Sequence, residues 1–166
     1  MRHNTIRFLT MMFTLLAATS AFGQGDSSAV LENPELKNAR AVLQAGRAEI
    51  IREELRMTEK QSAGFWPVYD KYHGEIMVVR DRQAKMIAGF LKTSRDGELS
   101  NEFATGLIKD HFAIKSELLK TQKRFLRQFR KVLPELKVAR FYQLENKMDA
   151  EIDAQLALFV PLVEAM

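Results

Sequence analysis

The sequence predicts an all-α protein of about four helices, on three observations. Apolar residues recur at spacings of three and four over long stretches, no segment alternates with period two for long enough to make a strand, and the breaks between stretches carry capping or turn residues. The predicted arrangement is a set of long antiparallel helices packed as a hairpin in one domain. A chain of 166 residues without cysteine must hold such helices together by packing alone. Cysteine nucleophiles, thiol redox chemistry and cysteine-ligated zinc are thereby excluded.

The first segment reads as an address. Arg2 and Arg7 form a basic head, residues 8–25 carry no charge, and Ala21-Phe22-Gly23 puts small residues where a signal peptidase reads them. This predicts a cleaved signal over residues 1–23 and export to the periplasm. The competing reading, an uncleaved anchor, is disfavoured by the threonines and serine in the apolar run and by the lack of a following basic cluster. Loss of Arg2 and Arg7 reduces Lys plus Arg from 25 to 23 against 21 acids. The basic isoelectric point is then partly a property of the signal, and nucleic acid is not expected as a partner. Residues 24–34, small and polar, read as a flexible leader, and residues 35–166 as one helical domain.

Helical periodicity begins at Leu36. Leu36, Ala39, Leu43, Gly46 and Ile50 share one face of a helix expected to run to about Arg56. Thr58 then offers a hydroxyl to free amides, and Gln61 stands where the partner in a capping box belongs. The second helix carries the clearest seam, Phe65, Tyr69, Tyr72, Ile76, Val79, Gln83, Met86 and Phe90, which suits long, nearly aligned packing. Pro67 removes an amide inside it and predicts a kink near Gly64 to Pro67, with the helix continuing beyond.

Thr93 to Gly97 is the one convincing internal turn, and Ser100 caps a third helix over about 101–131. Its seam runs Leu107, His111, Ile114, Leu118, Thr121, Phe125, Gln128 and Val132. Beside it, Ile108, Phe112, Leu119, Leu126, Phe129 and Leu133 form a second stripe. Such a stripe is either part of one broad buried face or a flank for another protomer. Pro134 suits the first turn of a fourth helix, whose apolar face is Phe141, Leu144, Met148, Ile152, Leu156 and Phe159 before Pro161 ends it.

Met57-Thr58-Glu59-Lys60-Gln61, followed by an apolar and aromatic helix, resembles the L-T-x-x-Q motif of the Spy/CpxP family of small periplasmic helical proteins. Val132-Leu133-Pro134-Glu135-Leu136-Lys137 stands where that family often repeats the motif as L-T-P-x-Q. The second copy lacks the threonine and glutamine, so position, Pro134 and Glu135 carry it. The resemblance implies an all-helical cradle, often formed by an antiparallel dimer, acting in the envelope stress response. The implied role is an ATP-independent chaperone that binds unfolded or envelope proteins; the alternative is a regulatory adaptor of a membrane stress or metal sensor. The chain has no G-x-x-x-x-G-K phosphate loop.

Two clusters are candidates for such binding. Between residues 115 and 140 bases far outnumber acids, and Arg124, Arg127 and Lys131 stand beside apolar positions. A strip of this kind attracts clients at long range and then holds them by burying apolar surface. Its plainer reading is a solvated face balanced by Glu145, Asp149, Glu151 and Asp153, and a third reading is contact with an anionic membrane surface. Phe65, Trp66 and Tyr69 form the densest aromatic cluster, readable as core or, through Trp66, as a surface anchor. His73 with Asp70 and Met77 is the best metal arrangement, yet too few ligands are present for a site, and His111 reads as a core histidine. No carboxylate is paired with His, Ser or Lys in a catalytic pattern, so neither a catalytic residue nor a cofactor is expected.

Overall fold

The computed structural model describes residues 34–163, and among them it is wholly helical between turns. The expected signal and all but the last residue of the leader lie outside the described residues. Four helices follow in order: α1 (Pro34–Leu55), α2 (Glu59–Asp96), α3 (Asn101–Val132) and α4 (Glu135–Phe159). The chain divides between Arg56 and Met57 into two compact units, α1 belonging to the first and α2 to α4 to the second.

In α1 the buried row is Arg47, Ile51 and Leu55, whereas Leu43, Gly46 and Ile50 are part exposed. The row lies one position along from the expected one. Ile50 and Ile51 are adjacent and equally apolar, so periodicity alone does not choose between them. The helix ends where Arg56 takes a left-handed backbone conformation, φ 43°, a geometry that commonly terminates helices.

The second unit opens on the predicted capping box. Thr58 Oγ1 accepts from the Gln61 amide at 3.3 Å while Gln61 Oε1 accepts from the Thr58 amide at 3.1 Å. Two of the amides that a helix start leaves without partners are thus satisfied reciprocally. The helix runs unbroken through Pro67, which is exposed. It stops at Gly97, φ 71°, whose amide donates to Ser94 O while that of Glu98 donates to Thr93 O. Glycine adopts this conformation without the penalty a Cβ would bring. Ser100 then caps α3 through the Phe103 amide at 3.1 Å.

Contacts between α2 and α3 pair in reverse order along the chain: Arg82 with Glu117, Glu75 with Arg124, Tyr72 with Phe125, and Phe65 with Phe129. The predicted seam is buried at Phe65, Tyr69, Tyr72, Ile76, Val79 and Phe90 of α2 and at Ile114, Leu118, Thr121 and Phe125 of α3. Gln83 and Met86 are part exposed, and His111 is exposed. The enclosed row of α3 starts at Ile114, two turns later than the expected start at Leu107, which leaves the imidazole at 111 on the surface. At the other end burial moves from Gln128 and Val132 to Phe129 and Leu133. A helix of 3.6 residues per turn drifts away from a strict 3,4 repeat, which carries Phe129 inward.

Phe129 closes the core. Its ring lies 4.5 Å from Phe141 of α4 and 5.5 Å from Phe65 of α2, and none of the three is accessible to water. Pro134 precedes α4 as its cap residue, one position before the expected place, and offers no side-chain hydrogen bond. Its carbonyl accepts from the Lys137 and Val138 amides instead.

Helices α2 and α3 approach closely at Gly64, where an added Cβ would stand 3.0 Å from Val132 Cγ1; nothing lies within 4 Å of one added at Gly74 or Gly89. Alanine in place of an unconstrained helical glycine stabilises by roughly 0.5–1 kcal/mol, whereas overpacking costs about 1–3 kcal/mol. Gly74→Ala and Gly89→Ala are therefore expected to raise the urea midpoint, and Gly64→Ala to lower it. Phe129→Ala is expected to lower unfolding free energy by about 3–5 kcal/mol, the range for a truncated core phenylalanine, as read from urea denaturation.

Candidate functional site

The two helix openings that are far apart in sequence meet in space. Lys137 Nζ donates to Gln61 Oε1 at 2.8 Å, so the glutamine that closes the capping box of α2 also holds the first turn of α4. Gly64 against Val132 packs the same end. Arg130 spans the α3–α4 corner, with Nε 3.0 Å from both carboxylate oxygens of Glu135. Hydrogen bonding to this guanidinium holds the Glu135 carboxyl below its ordinary range.

The aromatic candidates separate. Phe65 and Tyr69 are buried, in contact with Phe129 and Phe141 and with Tyr72 and Phe141 respectively. Neither is available to a partner while the helices are packed, which corrects their inclusion as binding residues: their helical spacing reflects core packing. Trp66 is part buried, donates its indole N–H to Ser62 Oγ at 3.0 Å and meets the rings of Phe65 and Tyr69 edge-on. Asp70 is exposed and His73 buried beside Tyr69, so the metal arrangement drawn on the sequence is divided between surface and core. No group of three or more His, Asp or Glu side chains suited to a metal occurs among the described residues.

The basic strip is only partly neutralised. Arg124 pairs with Glu75 and lies 5.4 Å from the Phe125 ring, Lys115 reaches Asp153 at 3.6 Å, and Arg130 engages Glu135. Asp149 and Asp153 pair with Arg80 of α2, at 3.2 and 3.3 Å. Of the four acids of α4 expected to balance the strip, Asp153 reaches Lys115, and Glu75 of α2, which has no local sequence relation to Arg124, supplies another part. Lys120, Lys123, Arg127 and Lys131 are exposed and make no ion pair among the described residues.

Next to these cations the second stripe of α3 divides. Phe129 and Leu133 enter the core, while Ile108, Phe112 and Leu119 remain 59, 68 and 51% exposed. The resulting surface joins unpaired cations to uncovered apolar groups. Ser116, Leu119, Lys120, Lys123, Arg124 and Arg127 line one shallow depression along it. The sequence places Lys120 and Lys123 in the strip and Phe112 and Leu119 in the second stripe, but it singles out Arg124, Arg127 and Lys131 and does not join the cations to that apolar pair. Helical spacing from Arg127 was the available signal. No protein-family model, curated protein or solved structure matches this chain.

Behind this surface Tyr142 ties α4 to α3, its hydroxyl donating to Gln122 O at 2.8 Å. Burial, with the nearby Glu145 charge, pushes its phenol up from 10.0 to about 12. The folded state then binds more protons than the unfolded state above pH 10, so the contribution is full below pH 10 and lost as pH rises towards about 12. Urea midpoints of wild type and Tyr142→Phe, measured across that window, are expected to converge as pH rises, because only wild type loses this contribution.

Proposed function

We propose that this protein is a periplasmic, ATP-independent, chaperone-like binding protein of the envelope stress response, as its resemblance to the Spy/CpxP family implies. The observation that carries the reading is the surface of α3, where Lys120, Lys123, Arg127 and Lys131 lie unpaired beside exposed Phe112 and Leu119. Unfolded chains present both carboxylates and apolar side chains. Long-range attraction brings such a chain in, and burial of apolar area holds it. The capping box at Thr58 and Gln61, with its link to Lys137, supports the family resemblance by giving both motif positions one structural role.

The purified protein is expected to suppress aggregation of unrelated unfolded proteins without ATP, less well as salt rises. Lys123→Gln, Arg127→Gln and Lys131→Gln combined should weaken client capture about tenfold at low salt, taking each exposed cation at up to about 1 kcal/mol. Arg124→Gln should change it little, since Glu75 already engages that guanidinium. No suppression at several-fold excess rejects the chaperone reading. Selective co-purification with one membrane protein would favour the adaptor instead.

A further inference from the structure

The outward side of α3 has an ordered chemistry that client capture does not require. At about 3.6 residues per turn, Ile108, Phe112, Leu119 and Leu126 fall along one line of the helix. Lys109, Lys120, Lys123, Arg127 and Lys131 fall immediately beside it on one flank. All are exposed except Leu126, which is part exposed. The acids of this stretch, Asp110 and Glu117, project towards the flank that faces α2, where Glu117 is engaged by Arg82. From Ile108 to Lys131 the outward sector therefore contains no acid over a length of about 35 Å, at 1.5 Å per residue.

An occupant of this sector must present negative charge and an apolar layer side by side, along a convex face made by one helix. A nucleic acid would meet the cations through its phosphates but leave Ile108, Phe112 and Leu119 in water. A folded acidic protein would need an apolar groove lined by carboxylates along the same length. An anionic bilayer surface supplies phosphate headgroups and, a few ångströms deeper, acyl chains, in the order the two lines of α3 require. Lysine and arginine stems lie along apolar surface while their charges stay at headgroup level. No described helix is long and apolar enough to cross a membrane, so the contact is peripheral.

We infer that α3 seats this protein on anionic lipid surfaces, with Ile108, Phe112 and Leu119 in the interface and the adjacent cations on the headgroups. This lipid seat is independent of the chaperone reading: the vesicle measurement contains no client and the aggregation measurement no lipid, so either can fail alone.

The test uses the full chain with vesicles of phosphatidylcholine, with and without phosphatidylglycerol. Binding is expected on the mixed vesicles, weak on pure phosphatidylcholine, and reduced by salt. Lys120→Gln, Lys123→Gln and Arg127→Gln together should weaken it about a hundredfold, each cation near such a surface being worth about a factor of five. Phe112→Ser with Leu119→Ser should weaken it at every salt concentration. These positions are exposed, and unchanged helicity by circular dichroism verifies that each variant is folded. In Phe112→Trp, the added indole emission should shift to the blue on binding and be quenched by brominated acyl chains, relative to wild type. Vesicle affinity unchanged in both variant sets would place the contact elsewhere in the chain and overturn the inference. So would an indole that remains in water while charge removal alone weakens binding, or failure to bind mixed vesicles.

Discussion

Phe65, Phe129 and Phe141 contribute one ring each from α2, α3 and α4 to a single point, with centroids 4.5–5.5 Å apart. Tyr69, Tyr72 and Phe125 extend this cluster along α2 and α3. Long helices crossing water would gain little from intrinsic propensity. Most helical stability comes from burying a face against a neighbour. Each fully buried phenylalanine contributes about 1.5–3 kcal/mol relative to exposure, and offset or edge-on ring pairs add about 0.5–1.5 kcal/mol. The junction also sets where the helix openings meet, since the capping box at Thr58 and the start of α4 lie at the same end of the unit.

With the packed faces so arranged, the electrostatics of α3 follow from which neighbours carry acids. Glu75 of α2 reaches Arg124, Arg82 takes Glu117, and Asp149 and Asp153 turn to Arg80. The Arg124–Glu75 and Arg82–Glu117 pairs are half exposed and modest in energy, while Arg80 is part buried against its two carboxylates. Their larger consequence is what they omit: Lys120, Lys123, Arg127 and Lys131 make no ion pair among the described residues, on the side where Phe112 and Leu119 are uncovered. The client-binding and lipid-binding proposals both begin from that residue of unsatisfied charge and apolar area.

Caps and turns were legible because their physics is local. Thr58 with Gln61, Ser100, and Gly97 each satisfy backbone groups within a few residues, so the side chains that do it sit next to the boundary they define. The seams of α2 and α3 were legible through their middles for a similar reason. At their ends helical drift decided between neighbours, exchanging Gln128 for Phe129 and releasing His111 to solvent. The candidate surface was half legible: Arg127 and Lys131 stayed free, Arg124 did not, and Phe65 and Tyr69 turned inward. Aromatic spacing states that a face is apolar without stating whether another helix covers it.

The sequence by itself determined the all-helical class, the helix boundaries to within a residue or two except the end of α2, and the preponderance of cations on α3, because propensity, capping and charge are properties of a few adjacent residues. Helix α2 runs through Asp96 and so through most of the turn expected at residues 93–97. Only the tertiary structure decided that Gln61 meets Lys137, that Phe129 rather than Gln128 joins the core, and which cations remain unpaired. Those outcomes depend on contacts between residues as much as 76 positions apart. A one-dimensional pattern carries no record of which distant carboxylate lies within reach of a given guanidinium; the packing of the helices supplies it.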